Sequence, residues 1–206
     1  IVVSGHSKGG NLAIYAACTV SESVRGRIAK VISYDGPGFL PAFFSKPEYA
    51  LMRGRIVTYG PDRSIVGMLM KEAGKLTVVA CDEYGVSAHD LRLWQVDSRG
   101  FITLPELSRF SVVFNSAIDM TLEGMDNVER KVLIDEIFDI LYSTGAFQLS
   151  DLTDNTFSQL LEMANHFRKA PMLRSFLLTL SELYLKGAMR GQLPDKERTE
   201  GSTDSI

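Results

Sequence analysis

Apolar positions along the chain fall into two textures. Over the first hundred residues, short β-branched runs alternate with stretches of helical period. Residues 1–4 read as a buried strand, and residues 9–20 as a helix with Leu12, Ala13, Ala16, Ala17 and Val20 on one face. A second strand is expected at 30–34, ending in the turn Asp35-Gly36-Pro37-Gly38-Phe39. A loop and a short helix near 46–52 lead to a third strand at 55–59, which runs into Gly60-Pro61-Asp62-Arg63-Ser64. Residues 65–71 look helical and 76–81 form a fourth strand. A polar loop through Ser87-Ala88-His89-Asp90, an apolar stretch at 91–96 and a turn at 97–100 follow. Strands alternating with helical stretches predict parallel βαβ units.

After Leu104 the period is helical throughout. Helices are expected at 105–123, 126–143, 151–168 and 172–189. Asp126-Asn127-Val128-Glu129 fits a capping box, Gly124 and Gly145 punctuate helix ends, and Pro171 separates the last two helices. Residues 191–206 are polar and aperiodic and read as a disordered tail. The expected organisation is an α/β core over 1–104, a helical subdomain over 105–190 and the tail. Phe101, Leu104, Phe110, Val113 and Phe114 are expected at the junction, with the helices packed beside the sheet.

Composition narrows the function classes. With 206 residues and a net charge of −3, the chain has no electrostatic footprint for nucleic acid. No apolar run reaches membrane-spanning length. Cys18 and Cys81 each fall inside an apolar element and read as two reduced core residues, in keeping with a cytoplasmic location. The histidines and cysteines show no ligand spacing, so neither a metal nor another cofactor is expected.

The chemistry gathers at the start. Gly5-His6-Ser7-Lys8-Gly9 stands between a strand and an Ala-rich helix, which is the context of a G-x-S-x-G nucleophile elbow. Gly5 and Gly9 are expected to make room beside the serine, and Gly10 to let helix and strand approach. Ser7 is the candidate nucleophile, and the Lys8 N–H a candidate oxyanion donor. The Lys8 ammonium would pair with a carboxylate or attract an anionic part of the substrate. A serine needs a base, and the base an orienting acid. Of three histidines, His6 reads as a packing residue pointing away from the serine side, and His166 as a surface residue. His89, in a loop after a strand and downstream of the serine, is the candidate base. Asp62 and Asp35 both end strands in the right interval. Asp62 is preferred and Asp35 is the alternative acid, each also readable as turn or cap chemistry. Asp90 reads as a solvated loop acid.

The stretch Gly5-His6-Ser7-Lys8-Gly9-Gly10-Asn11-Leu12-Ala13 resembles the elbow of class 3 lipases. It is closer still to an uncharacterised bacterial family of lipase-like α/β-hydrolases. That family also carries counterparts of Tyr34–Phe39, Ser64–Leu69 and the late His89, Asp90 and Trp94. The resemblance covers about residues 1–100. It implies the C-terminal part of an α/β-hydrolase parallel sheet followed by an all-helical subdomain. By position it matches Asp62 to the lipase acid and His89 to the late histidine, while Lys8 and Ser64-Ile65-Val66 depart from the lipase pattern.

The expected function is hydrolysis of a carboxylic ester, soluble or lipid, through an acyl-enzyme. The rival is a hydrolase-like scaffold that binds without cleaving. An α/β-hydrolase sheet has strands on both sides of the elbow strand, with the second oxyanion donor before it. The chain alone is therefore expected to be an incomplete catalyst, completed by an N-terminal segment or by self-association.

Overall fold

The computed structural model describes residues 1–143 and 157–190. The predicted strands form β1 (Val2–His6), β2 (Lys30–Tyr34), β3 (Ile56–Pro61) and β4 (Lys75–Val79), all parallel and in sequence order. The chain then makes a small hairpin, β5 (Val96–Asp97) and β6 (Gly100–Phe101), around the predicted turn. It closes the sheet with β7 (Thr103–Leu104), antiparallel to β4. The result is a mixed α/β architecture with a mostly parallel five-stranded sheet, of which β1 is one edge.

Side chains alternate across the strands, and the two faces have different covers. On one face, Val31 and Ile56 are buried under α1 (Lys8–Thr19), through Ala13, Ile14, Ala17 and Cys18. Two short helices, α2 (Glu22–Arg25) and α3 (Pro41–Phe44), and the longer α4 (Pro47–Met52) complete that layer, where Phe43 and Met52 are buried. Each such side chain stabilises the fold by about 1.5–3 kcal/mol. The other face carries His6, Tyr34 and Tyr59 in register on adjacent strands. Tyr34 and Tyr59 are covered by Trp94 and Phe101, with ring centroids 5.3–6.4 Å apart across the group. The segment that carries His89 is thereby drawn over the row that begins with His6.

Residues 65–71 do not form the expected helix; they make tight turns, Met68 N–H to Ile65 and Leu69 N–H to Val66. Their other backbone groups serve the loop after β2. Gly38 donates to the Leu69 carbonyl, and Phe39 and Lys71 pair as an isolated antiparallel bridge. Tertiary pairing has displaced the local helical period.

The helical part comprises α5 (Arg109–Glu123), α6 (Asn127–Ser143), α7 (Phe157–Arg168) and α8 (Pro171–Arg190). The capping box forms: Asp126 Oδ1 accepts from Val128 and Glu129 N–H, and Glu129 Oε2 accepts from Asp126 N–H. Ala117, Ile118 and Leu180 are buried together with Met68 from the sheet side, with Leu69 and Phe114 against them. The junction thus runs through Met68 and Leu69. Val113 is buried as expected, while Leu104 and Phe110 remain exposed. Gly145, the expected helical start at 151–156 and the tail lie outside the described residues. No described helix is long and apolar enough to cross a membrane.

Candidate functional site

Ser7 follows β1 and stands at the N-cap of α1 with φ 57° and ψ −131°. A non-glycine residue held there stores about 1–3 kcal/mol of strain. Its N–H donates to the Tyr34 carbonyl at 2.9 Å and its carbonyl accepts from Gly10, so the backbone turn is clamped on both sides. Its hydroxyl takes no part in capping the helix. A Cβ at Gly5 would collide with the Gly9 carbonyl, and one at Gly10 with Ser33 Oγ. Gly9 itself has open space where a Cβ would stand, so the close approach depends on Gly5 and Gly10 instead. The N–H of Lys8, first in the helix, has no carbonyl four residues back within the helix to bond.

One strand over, Asp35 follows β2 with φ 47°, its N–H bonded to the Tyr59 carbonyl at 2.7 Å. Its carboxylate is 1% exposed. Oδ2 accepts from His89 Nδ1 at 2.6 Å and from Ser64 Oγ at 2.5 Å. His89 is 4% exposed. With Nδ1–H engaged by a carboxylate, the other ring nitrogen, Nε2, is the one left to act as a base.

Two further donors fix the turn that presents His89. Trp94 Nε1–H donates to the Ala88 carbonyl at 2.9 Å, and His6 Nε2–H donates to the His89 carbonyl at 2.8 Å. The His6 and His89 rings are 4.4 Å apart. His6 therefore does not turn away into packing; as the residue just before Ser7, it is tied to the turn that presents His89. Spacing gave no sign of this, because the two lie 83 residues apart.

Asp62, the preferred acid in the sequence, is engaged elsewhere. Its Oδ1 accepts from Ser108 N–H at 2.9 Å, Ser108 Oγ at 3.0 Å and Ser111 Oγ at 2.6 Å. Arg63 Nε stands 3.4 Å from Oδ2, an ion pair without hydrogen-bond geometry. Partial burial pushes the Asp62 carboxyl up, but the Ser111 hydroxyl, the Ser108 donors and the Arg63 charge outweigh it and hold it below its usual value. The orienting contact to His89 is made by Asp35, so the preference for Asp62 is corrected. Asp62 instead pins the start of α5 to the end of β3.

Asp90 is engaged by Arg92. It caps the next turn by accepting from Arg92 N–H, and pairs with the Arg92 guanidinium. These bonds hold its carboxyl down at about 2. Among the described residues the Lys8 ammonium pairs with no carboxylate; it donates to Asn11 Oδ1 at 3.1 Å. Asn11 Nδ2 in turn donates to the Pro37 and Gly38 carbonyls. His166 is exposed on α7. Among the described residues no three His, Cys, Asp or Glu side chains cluster as metal ligands.

An apolar cleft of about 490 Å³ flanks Ser64, lined by its neighbours Arg63 and Ile65 with Tyr84, Gly85, Phe110 and Phe114. The Ser64–Gly85 bridge ties its wall to the residue that donates to Asp35.

A family profile described as Mbeg1-like matches residues 1–139. The chain belongs to the Mbeg1-like family. This corrects the resemblance read from the elbow, since the matching family carries a different description and no lipase profile matches. The match continues past Leu104 through α5 and most of α6, so the Asp62 clamp lies inside it. No curated protein and no solved structure matches the chain.

Proposed function

We propose that this protein is a serine hydrolase that cleaves a carboxylic ester, and that its sheet is part of an α/β-hydrolase sheet. The carrying observation is the buried His89–Asp35 pair at 2.6 Å, with the His89 carbonyl held by His6, the residue that precedes a serine at φ 57°. Parallel β1–β4, an elbow between β1 and α1, an acid after β2 and a histidine after β4 support the same reading.

In this reading Ser7 Oγ attacks the ester carbonyl carbon while His89 Nε2 takes its proton. Asp35 holds the Nδ1–H and stabilises the imidazolium. The Lys8 N–H donates to the oxyanion of the tetrahedral intermediate. That intermediate collapses by breaking the bond to the alkoxide, which leaves as alcohol with the proton from Nε2. Water, deprotonated by the same nitrogen, then attacks the acyl carbon; the acyl–Oγ bond breaks, the proton passes from Nε2 to Ser7 Oγ, and the acid is released. The apolar cleft receives the acyl group.

A fluorophosphonate probe tests the nucleophile: labelling of wild type and none of Ser7→Ala is expected. Hydrolysis of short p-nitrophenyl esters at equal rates by wild type and Ser7→Ala would favour the binding scaffold instead.

A further inference from the structure

Asp35 uses one of its two oxygens for both His89 and Ser64. The other, Oδ1, is buried and meets no donor among the described residues. Asn115 Oδ1, from α5, is likewise buried without one. Both residues line one cavity of about 20 Å³, together with Thr58, Ser64, Gly67 and Glu72. The Thr58 hydroxyl donates to the Ala73 carbonyl and the Ser64 hydroxyl to Asp35 Oδ2, so neither proton is free for these oxygens. A Cβ at Gly67 would overlap Asp35 Oδ1, so glycine there keeps the space open.

A carboxylate oxygen and an amide oxygen only accept, so whatever joins them must donate twice. Leaving a buried charged group short of a donor is costly, and buried polar groups are as a rule bonded. The volume exceeds the ~10–15 Å³ that one water needs, and two polar partners meet its lower requirement. A hard cation such as Ca²⁺ takes about six to eight oxygens, several of them carboxylate, and among the described residues no three His, Cys, Asp or Glu side chains gather to hold a metal ion.

We propose that this cavity is a site for one water, which donates to Asp35 Oδ1 and to Asn115 Oδ1. Asn115 then becomes a positioning residue: through the water, α5 holds the acid that holds the base. The catalytic meaning rests on the hydrolase reading above; the water site does not.

The test is a crystal structure of the full chain at a resolution that shows waters, with rates for three forms. Wild type is expected to show a density peak within hydrogen-bond distance of both oxygens. Asn115→Leu is expected to lose the peak and about tenfold in kcat with KM unchanged, which a general loss of packing would not produce. Asn115→Ser, which keeps an acceptor and room, recovers the peak and most of that loss. No peak in wild type, or an Asn115 amide turned to donate directly to Asp35 Oδ1, overturns the proposal. A peak in wild type with no Ser7-dependent hydrolysis upholds the water site and sinks the hydrolase reading instead.

Discussion

His6 Nε2 and the main-chain carbonyl of His89 are 2.8 Å apart, with the two rings in contact at 4.4 Å. A carbonyl only accepts, so the His6 proton sits on Nε2. The bond ties the end of β1 to the turn carrying the proposed base, and its loss would let the imidazole wander relative to Ser7. A neutral hydrogen bond contributes about 0.5–1.5 kcal/mol, or up to about tenfold in rate if all of it positions the base. His6→Leu is expected to lower kcat by that factor with little change in KM, and His6→Gln, which keeps a donor, by less. If His6→Gln were as inactive as Ser7→Ala, His6 would be taking part in proton transfer and the positioning role would fail.

The two aspartates separate cleanly in a rate assay. Asp35 is bonded to His89, whereas Asp62 is spent on Ser108 and Ser111. Asp35→Asn turns the acceptor into a group that no longer fixes the Nδ1–H tautomer, so a loss of about 10⁴ in kcat is expected. Asp62→Asn is expected to stay within a few-fold of wild type. The reverse order would restore Asp62 as the acid.

Much of this site was legible in the chain. The β-branched runs and the glycines marked β1 to β4 and the elbow, and a late histidine in a loop pointed to His89. The choice of acid was not legible, because both candidates end strands before turns and the partners that decide it are distant. Ser108 is 46 positions from Asp62, and His89 is 54 from Asp35. The expected helix at 65–71 failed for a similar reason. Met68 and Leu69 face Ala117 and Ile118 on α5 and Leu180 on α8, while the backbone is claimed by Gly38 and Phe39.

Asp62 also predicts a pH effect on stability. Its carboxyl is lowered in the folded state, so its contribution is complete above the unfolded value of about 4 and is lost as pH falls through the folded value. Thermal unfolding of wild type and Asp62→Asn should therefore differ most near neutral pH, wild type being the more stable, and converge in acid below about pH 4. A gap that stays constant down to pH 3 would mean that the ionised carboxylate is not what clamps α5.

Lys8 gives a negative expectation. Its ammonium rests on Asn11 Oδ1, while Asn11 Nδ2 holds the Pro37 and Gly38 carbonyls. Removing the exposed partner should change stability by no more than about 0.5 kcal/mol, and removing the buried amide by about 1–3 kcal/mol. Thermal denaturation of Lys8→Leu and Asn11→Leu checks the order. Lys8→Leu should also leave the preference between neutral and acidic esters unchanged; a shift toward neutral esters would show that the ammonium does reach the substrate.

The cleft beside Ser64 fixes which substrates the proposed enzyme should prefer. Its walls are Ile65, Tyr84, Phe110 and Phe114, with the Phe110 and Phe114 rings stacked at 5.6 Å and the Arg63 guanidinium lying over Tyr84 at 4.9 Å. Such a surface rewards apolar acyl groups, each methylene that it buries adding about 0.8 kcal/mol, or roughly fourfold in kcat/KM. The rise should stop where the chain outgrows the cleft. Phe114 also packs against the Ala117–Leu180 cluster, so shortening it would confuse specificity with stability. Ile65 is 37% exposed and outside that cluster, and Ile65→Trp should fill the cleft while leaving the fold intact. The measurement is kcat/KM on p-nitrophenyl esters from acetate to decanoate for both forms. The expected result is a rising profile for wild type and a flattened one for Ile65→Trp, with acetate unaffected. Parallel profiles would show that the acyl group lies elsewhere.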